Sequence, residues 1–124
     1  MQTLCKAERL FGKKQVDFLF DKGKHFTLEN FAIVWIYKDN PSAFPAQVLI
    51  SVPKKKISKA TARNKLKRLI KEAYRKQKKL LYELLANQKK QIQFAIIYQN
   101  SNILTYKEID SEINSALNRL INKL

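Results

Sequence analysis

Arg63, Lys67, Lys71 and Arg75 recur every four residues. On a helix they form one row, with Asn64 and Arg68 in the row beside it. Guanidinium groups bind phosphate oxygens in pairs, and an asparagine both donates and accepts at a sugar or base edge. Cations four apart repel on an isolated helix by about 0.2–0.5 kcal/mol per pair. A face carrying several such pairs therefore points to a polyanion that offsets them. The window from Pro53 to Lys79 holds thirteen basic residues, Lys54, Lys55 and Lys65 among them, and one acid, Glu72. Its net charge of +12 is most of the chain's formal +15. So uneven a distribution argues for a nucleic-acid surface rather than for solubility alone.

Hydrolytic chemistry is the alternative. Two-metal phosphodiester hydrolysis needs converging carboxylates. The ten acids are scattered. Asp17 and Asp21 share a helix face, as solvated polar residues do, and Glu108, Asp110 and Glu112 crowd a helix start, where acids offset the dipole. His25 is the one histidine and has no Cys or His nearby in sequence. No protein catalytic residue and no protein-held metal are expected. The single Cys5 excludes an internal disulfide and suits a reducing compartment. No apolar run resembles a signal peptide or a membrane span, so a soluble, cytoplasmic protein is expected.

The elements that must position the basic row follow from apolar spacing. A first helix is expected at about residues 13–22, with Gly12 at its start and Gly23 as a left-handed terminator. Phe31–Tyr37 reads as a buried strand and Ala46–Val52 as a second, ended by Pro53. Turn residues between them, Asp39 to Pro45, make an antiparallel pair the simplest connection. A long helix is expected from Ala60 to about Asn87, with Leu66, Leu69 and Ala73 opposite the cations. A third strand covers Ile92–Tyr98. The last helix opens on Thr105-x-x-Glu108, a capping box. Residues 1–124 thus form one α+β domain, a mixed sheet packed against helices. Phe31, Trp35 and Tyr37 alternate onto one sheet face, which is either core or cleft.

Lys59 to Arg75 resembles the signature helix of bacterial ribonuclease P proteins, approximately A-x-x-R-N-R-x-K-R-x-x-R-E-x-x-R. Arg63, Asn64, Lys67, Arg68, Glu72 and Arg75 match it, while Lys65 and Lys71 stand where Arg is commoner. Ser51-Val52-Pro53-Lys54-Lys55 resembles the family's S-V-S-K-K, with Pro for the second Ser. Phe20-Asp21-Lys22-Gly23-Lys24 resembles its F-x-x-G-K. Val16 stands where an aromatic is common, and Ser58-Lys59 replaces the usual glycine before Ala60.

The resemblance implies a fold similar to domain 2 of ribosomal protein S5, with a left-handed β-α-β crossover around the basic helix, although nearly all such crossovers are right-handed. It implies a ribonucleoprotein endonuclease in which the RNA, with its own Mg2+ ions, removes the 5′ leader of precursor tRNA. Arg63, Asn64, Lys65, Lys67, Arg68, Lys71, Arg75, Lys54 and Lys55 would bind RNA. Phe20 matches a leader-cleft position where a ring can stack on a base; from spacing alone it equally suits the packing of the first helix. The partners implied are the catalytic RNA and precursor tRNA, with no membrane and no protein partner. A structural RNA-binding protein such as a ribosomal protein is the remaining alternative, and the Arg63–Arg75 motif argues against it.

Overall fold

The computed structural model describes residues 6–40 and 44–124. Cys5, Pro41 and Ser42, which entered the reading of compartment and turn, lie outside the described residues. A 3-10 turn (Lys6–Glu8) leads to α1 (Lys13–Lys22), β1 (Lys24–Thr27), β2 (Phe31–Tyr37), β3 (Ala46–Ser51), α2 (Ala60–Gln77), α3 (Lys79–Gln88), β4 (Ile92–Tyr98) and α4 (Tyr106–Lys123). No helix among the described residues is long and apolar enough to cross a membrane.

The sheet order is β1-β2-β4-β3. β2 pairs antiparallel with β1 and β4, while β3 lies parallel to β4. This corrects the expected β2–β3 hairpin. The reason lies in burial. In β4, Ile92 to Ile96 and Tyr98 are buried, so both of its faces are covered. Such a strand belongs inside a sheet, and β2 and β3 each take one of its edges. The link from β3 to β4 is the parallel crossover, built from α2 and α3. β1 went unforeseen: it has four residues, only Phe26 of them buried, at an edge.

Helices cover both faces. Phe31, Trp35, Val48, Phe94, Ile96 and Tyr98 pack with Leu66, Ile70, Ala73 and Tyr74 of α2 and Ile109, Ile113, Leu117 and Leu120 of α4. Each such Val, Leu, Ile or Phe side chain contributes about 1.5–3 kcal/mol by leaving water. On the opposite face Leu10 and Leu19 meet Val34 and Ala95. The face of Phe31 and Trp35 is therefore core. Tyr37, at its end, is 39% exposed, and its hydroxyl donates to the Leu124 carbonyl at 3.0 Å.

Two local expectations change. Gly23 is extended, at φ −72° and ψ 155°, and not left-handed. It is glycine for lack of room: a Cβ would stand 2.5 Å from the Leu19 carbonyl oxygen and 2.8 Å from Val34 Cγ1. Gly12, by contrast, begins α1 at φ 98°, where a side chain would be strained. The long helix is two helices, divided at Lys78. Lys78 Nζ turns inward and donates to Glu8 Oε2 at 2.5 Å, with both side chains at most 9% exposed. α4 opens as expected, with both reciprocal bonds of the Thr105–Glu108 box formed.

Candidate nucleic-acid interface

α2 presents its cations because its other side is spoken for. Leu66, Ile70, Ala73 and Tyr74 are buried, and Leu69 packs half-buried at the margin rather than centrally. Asn64, Lys65, Lys67 and Arg68 are exposed on the other side. Just upstream, the backbone turns after Pro53, whose carbonyl accepts from the amides of Lys56 and Ile57 at 3.0 and 3.1 Å. Ile57 anchors the turn in the core at 6% exposure, which leaves Lys54 and Lys55 in solvent.

The row of four-apart cations is not uniform. Arg63 is half-buried, and its Nη1 donates to the carbonyls of Ile57 at 3.1 Å and Ser58 at 2.7 Å. It holds the turn to the start of α2. Arg75 Nε and Nη2 donate to the two Glu72 oxygens at 3.1 and 2.5 Å. That bond holds the Glu72 carboxyl below its ordinary range and raises the guanidinium value. Lys76 approaches Glu72 as well, at 3.7 Å. Positive potential is thereby least offset in the first half of α2.

Lys67 and Lys71 border a hollow of about 190 Å³ with Arg9, and Leu10, Val48, Leu49 and Ile50 form its apolar wall. Arg9 was not foreseen. Its neighbour Leu10 donates its amide to the Val48 carbonyl at 2.9 Å, and Arg9 makes a parallel bridge to Val48, so the N-terminal segment borders β3. An isolated arginine far from the motif carries no sequence signal of that placement. Phe20 stands 46% exposed on α1, while Leu19 fills the core beneath the helix.

Several carboxylates have structural partners. Glu8 accepts from Lys78 and Tyr82, and Glu112 accepts from the Asn30 amide at 2.7 Å and from its side chain at 2.8 Å. Asp110 accepts from Gln77 at 2.9 Å, and Glu108 caps α4. Among the described residues no three His, Cys, Asp or Glu side chains group to hold a metal ion.

A ribonuclease P family model matches residues 4–121. The chain is 28% identical over 117 residues to a ribonuclease P protein component of Porphyromonas gingivalis, which covers 94% of this chain and 85% of that one. It is 45% identical over 80 residues to one from Dictyoglomus turgidum, across 63% and 62% of the two chains. The fold is shared with the ribonuclease P protein of Thermotoga maritima at a TM-score of 0.72 and 23% identity, over 90% of this chain and 96% of that one. The Staphylococcus aureus protein shares it at 0.69 and 21%, over 93% and 96%. With the signature helix exposed on a matching fold and the match running nearly end to end, this chain belongs to the ribonuclease P protein family.

Proposed function

We propose that this chain is the protein subunit of a cytoplasmic ribonuclease P, an RNA-based endonuclease that removes the 5′ leader of precursor tRNA. The exposed first half of α2 docks on the catalytic RNA, with Lys54 and Lys55 alongside. The leader strand passes by α1, where Phe20 offers a ring. Chemistry belongs to the RNA and its Mg2+ ions; the protein positions strands and offsets phosphate charge.

One observation carries this reading: Asn64, Lys65, Lys67 and Arg68 stand exposed together on a helix whose single acid, Glu72, is bonded to Arg75. Lys65, Lys67 and Arg68 are the appropriate probes, because Arg63 also holds the turn before α2 and its loss would disturb the fold. Reversing the three to Glu should leave circular dichroism unchanged and abolish docking on the catalytic RNA. Each neutralised phosphate contributes about 0.7–0.9 to the slope of log K against log salt, so the reversal should flatten that slope by about 2. Cleavage of precursor tRNA should require both components. A folded triple variant with wild-type affinity and salt slope, or cleavage by RNA-free protein, would refute the reading.

A further inference from the structure

α1 rests on the sheet by little apolar surface. Leu19 is its one buried residue, packed with Leu10, Val34 and Ala95, and Val16 is half-buried beside them. Past that patch the seat turns polar. Gln47 of β3 and Gln93 of β4 are partners across the two strands, and both are buried, at 5% and 1% exposure. Side chains alternate along a strand, so with Val48 and Phe94 in the core against α2, these two face α1. Gln93 Nε2 donates to Gln47 Oε1 at 2.9 Å and to Gln15 Oε1 of α1 at 3.0 Å. Gln47 Nε2 donates in turn to the Ala7 carbonyl at 3.2 Å. One line of carboxamides thus joins the N-terminal turn, two strands and α1.

Such a line is a poor source of stability. Both hydrogens of the Gln93 amide are used, yet its Oε1 is buried with no hydrogen-bond partner among the described residues. A buried acceptor left unpaired costs free energy, and apolar side chains of similar shape in place of both partners are often neutral or better. Ile36, the β2 partner of Gln93, shows that an apolar side chain suits this face. What carboxamides add is direction. Apolar contact is non-directional and lets a ten-residue helix roll on its seat. A hydrogen bond weakens steeply away from its axis. Phe20 stands five residues beyond Gln15, about 7.5 Å along α1 and about 140° around it. The angle at which Gln15 is held therefore sets where the exposed Phe20 ring stands.

We propose that Gln93 is a positioning residue for the leader strand: with Gln15 and Gln47 it fixes the roll of α1 on the sheet and so presents the Phe20 ring to an unpaired base. Buried as it is, Gln93 acts through Phe20 and touches no RNA. This rests on the functional reading above, in which the leader passes by α1. The bond to the Ala7 carbonyl extends the restraint to the N-terminal turn, whose Glu8 is held by Lys78 and Tyr82. α1 is thereby referred to fixed points on the sheet and at the junction of α2 and α3. If the glutamines served the fold alone, apolar replacements would lower stability and leave leader binding in proportion. A positioning role separates the two quantities.

The test is a holoenzyme carrying Gln93→Leu, with Tm and circular dichroism as folding controls. Affinity is measured for a precursor tRNA with its leader and for the same tRNA without one. The gain due to the leader should fall about threefold to tenfold, a share of what one stacked base contributes. Tm, docking on the catalytic RNA and binding of the leaderless tRNA should match or exceed the wild type. In a Phe20→Ala background Gln93→Leu should remove nothing more, because both act through one ring. A folded Gln93→Leu variant with the full gain would overturn the proposal, as would an equal loss in the Phe20→Ala background. Gln15→Leu, at a half-buried helix position, should behave as Gln93→Leu does. Unfolding of both variants would assign the glutamines to the fold and overturn the proposal too. If the wild type gains nothing from a leader, or Phe20→Ala keeps the whole gain, the reading of α1 as the leader's helix falls and the proposal with it. That failure shows with Gln93 intact, so the two are distinguishable.

Discussion

Glu8 and Lys78 show how much a single pair of side chains can organise. Glu8 is 2% exposed and accepts from Lys78 and Tyr82, which ties the N-terminal turn to the break between α2 and α3. Burial chiefly raises the Tyr82 and Tyr74 hydroxyl values, so both stay protonated across the physiological range. Removing one partner of a buried ion pair leaves a charge stranded, at a cost of about 3–5 kcal/mol. Glu8→Ala should therefore lower stability in urea unfolding by that amount, and Glu8→Leu with Lys78→Leu should recover much of it. Equal losses in both variants would show that shape, not charge, holds the junction. Nothing in the sequence marked this pair: Glu8 stood among scattered acids and Lys78 at the end of a basic run, and only the fold brings them together. The exposed polar face, in contrast, was legible, because Asn64, Lys67 and Arg68 keep a spacing that a helix alone converts into a face. What the spacing concealed was that Arg63 and Arg75 are partly committed to carbonyls and to Glu72.

The terminal helix α4 was readable at the level of an element, because a capping box is a local device with its partners three residues apart. Thr105→Ala should cost about 1 kcal/mol in chemical denaturation. An unchanged midpoint would show that packing alone holds the helix start. The Glu108 carboxyl is held below its ordinary range, first by the Thr105 backbone amide and then by its side chain. Since its folded value is lowered, its contribution is present above the ordinary carboxylate range and fades as pH falls through the lowered value. The stability gap between Thr105→Ala and wild type should accordingly narrow in acid. The helix break at Lys78 and the edge strand β1 were not readable, since apolar spacing ran on through the first and the second offered a single buried residue, Phe26. Pairing partners were least readable of all. Two neighbouring strands in sequence suggest a hairpin, yet the choice was decided by β4, which needed cover on both edges.

At the scale of the whole molecule, a formal charge of +15 on 124 residues opposes compactness through self-repulsion. Raising ionic strength from about 0.05 to about 0.3 M shortens the screening length and should raise Tm in the absence of RNA. A flat or falling Tm would mean that the cations already lie far enough apart. The strand order carries one more consequence, and it concerns time. β4 is the last strand to be synthesised, yet it lies between β2 and β3. While α2 and α3 are being made, both earlier strands wait with open edges, and the sheet has no middle. At roughly 5–20 residues per second the wait lasts several seconds. The nascent chain therefore cannot complete its core piecemeal. It must keep two apolar strands apart until Tyr98 has emerged, and self-repulsion within the basic stretch made next, between β3 and β4, works against premature collapse during that interval.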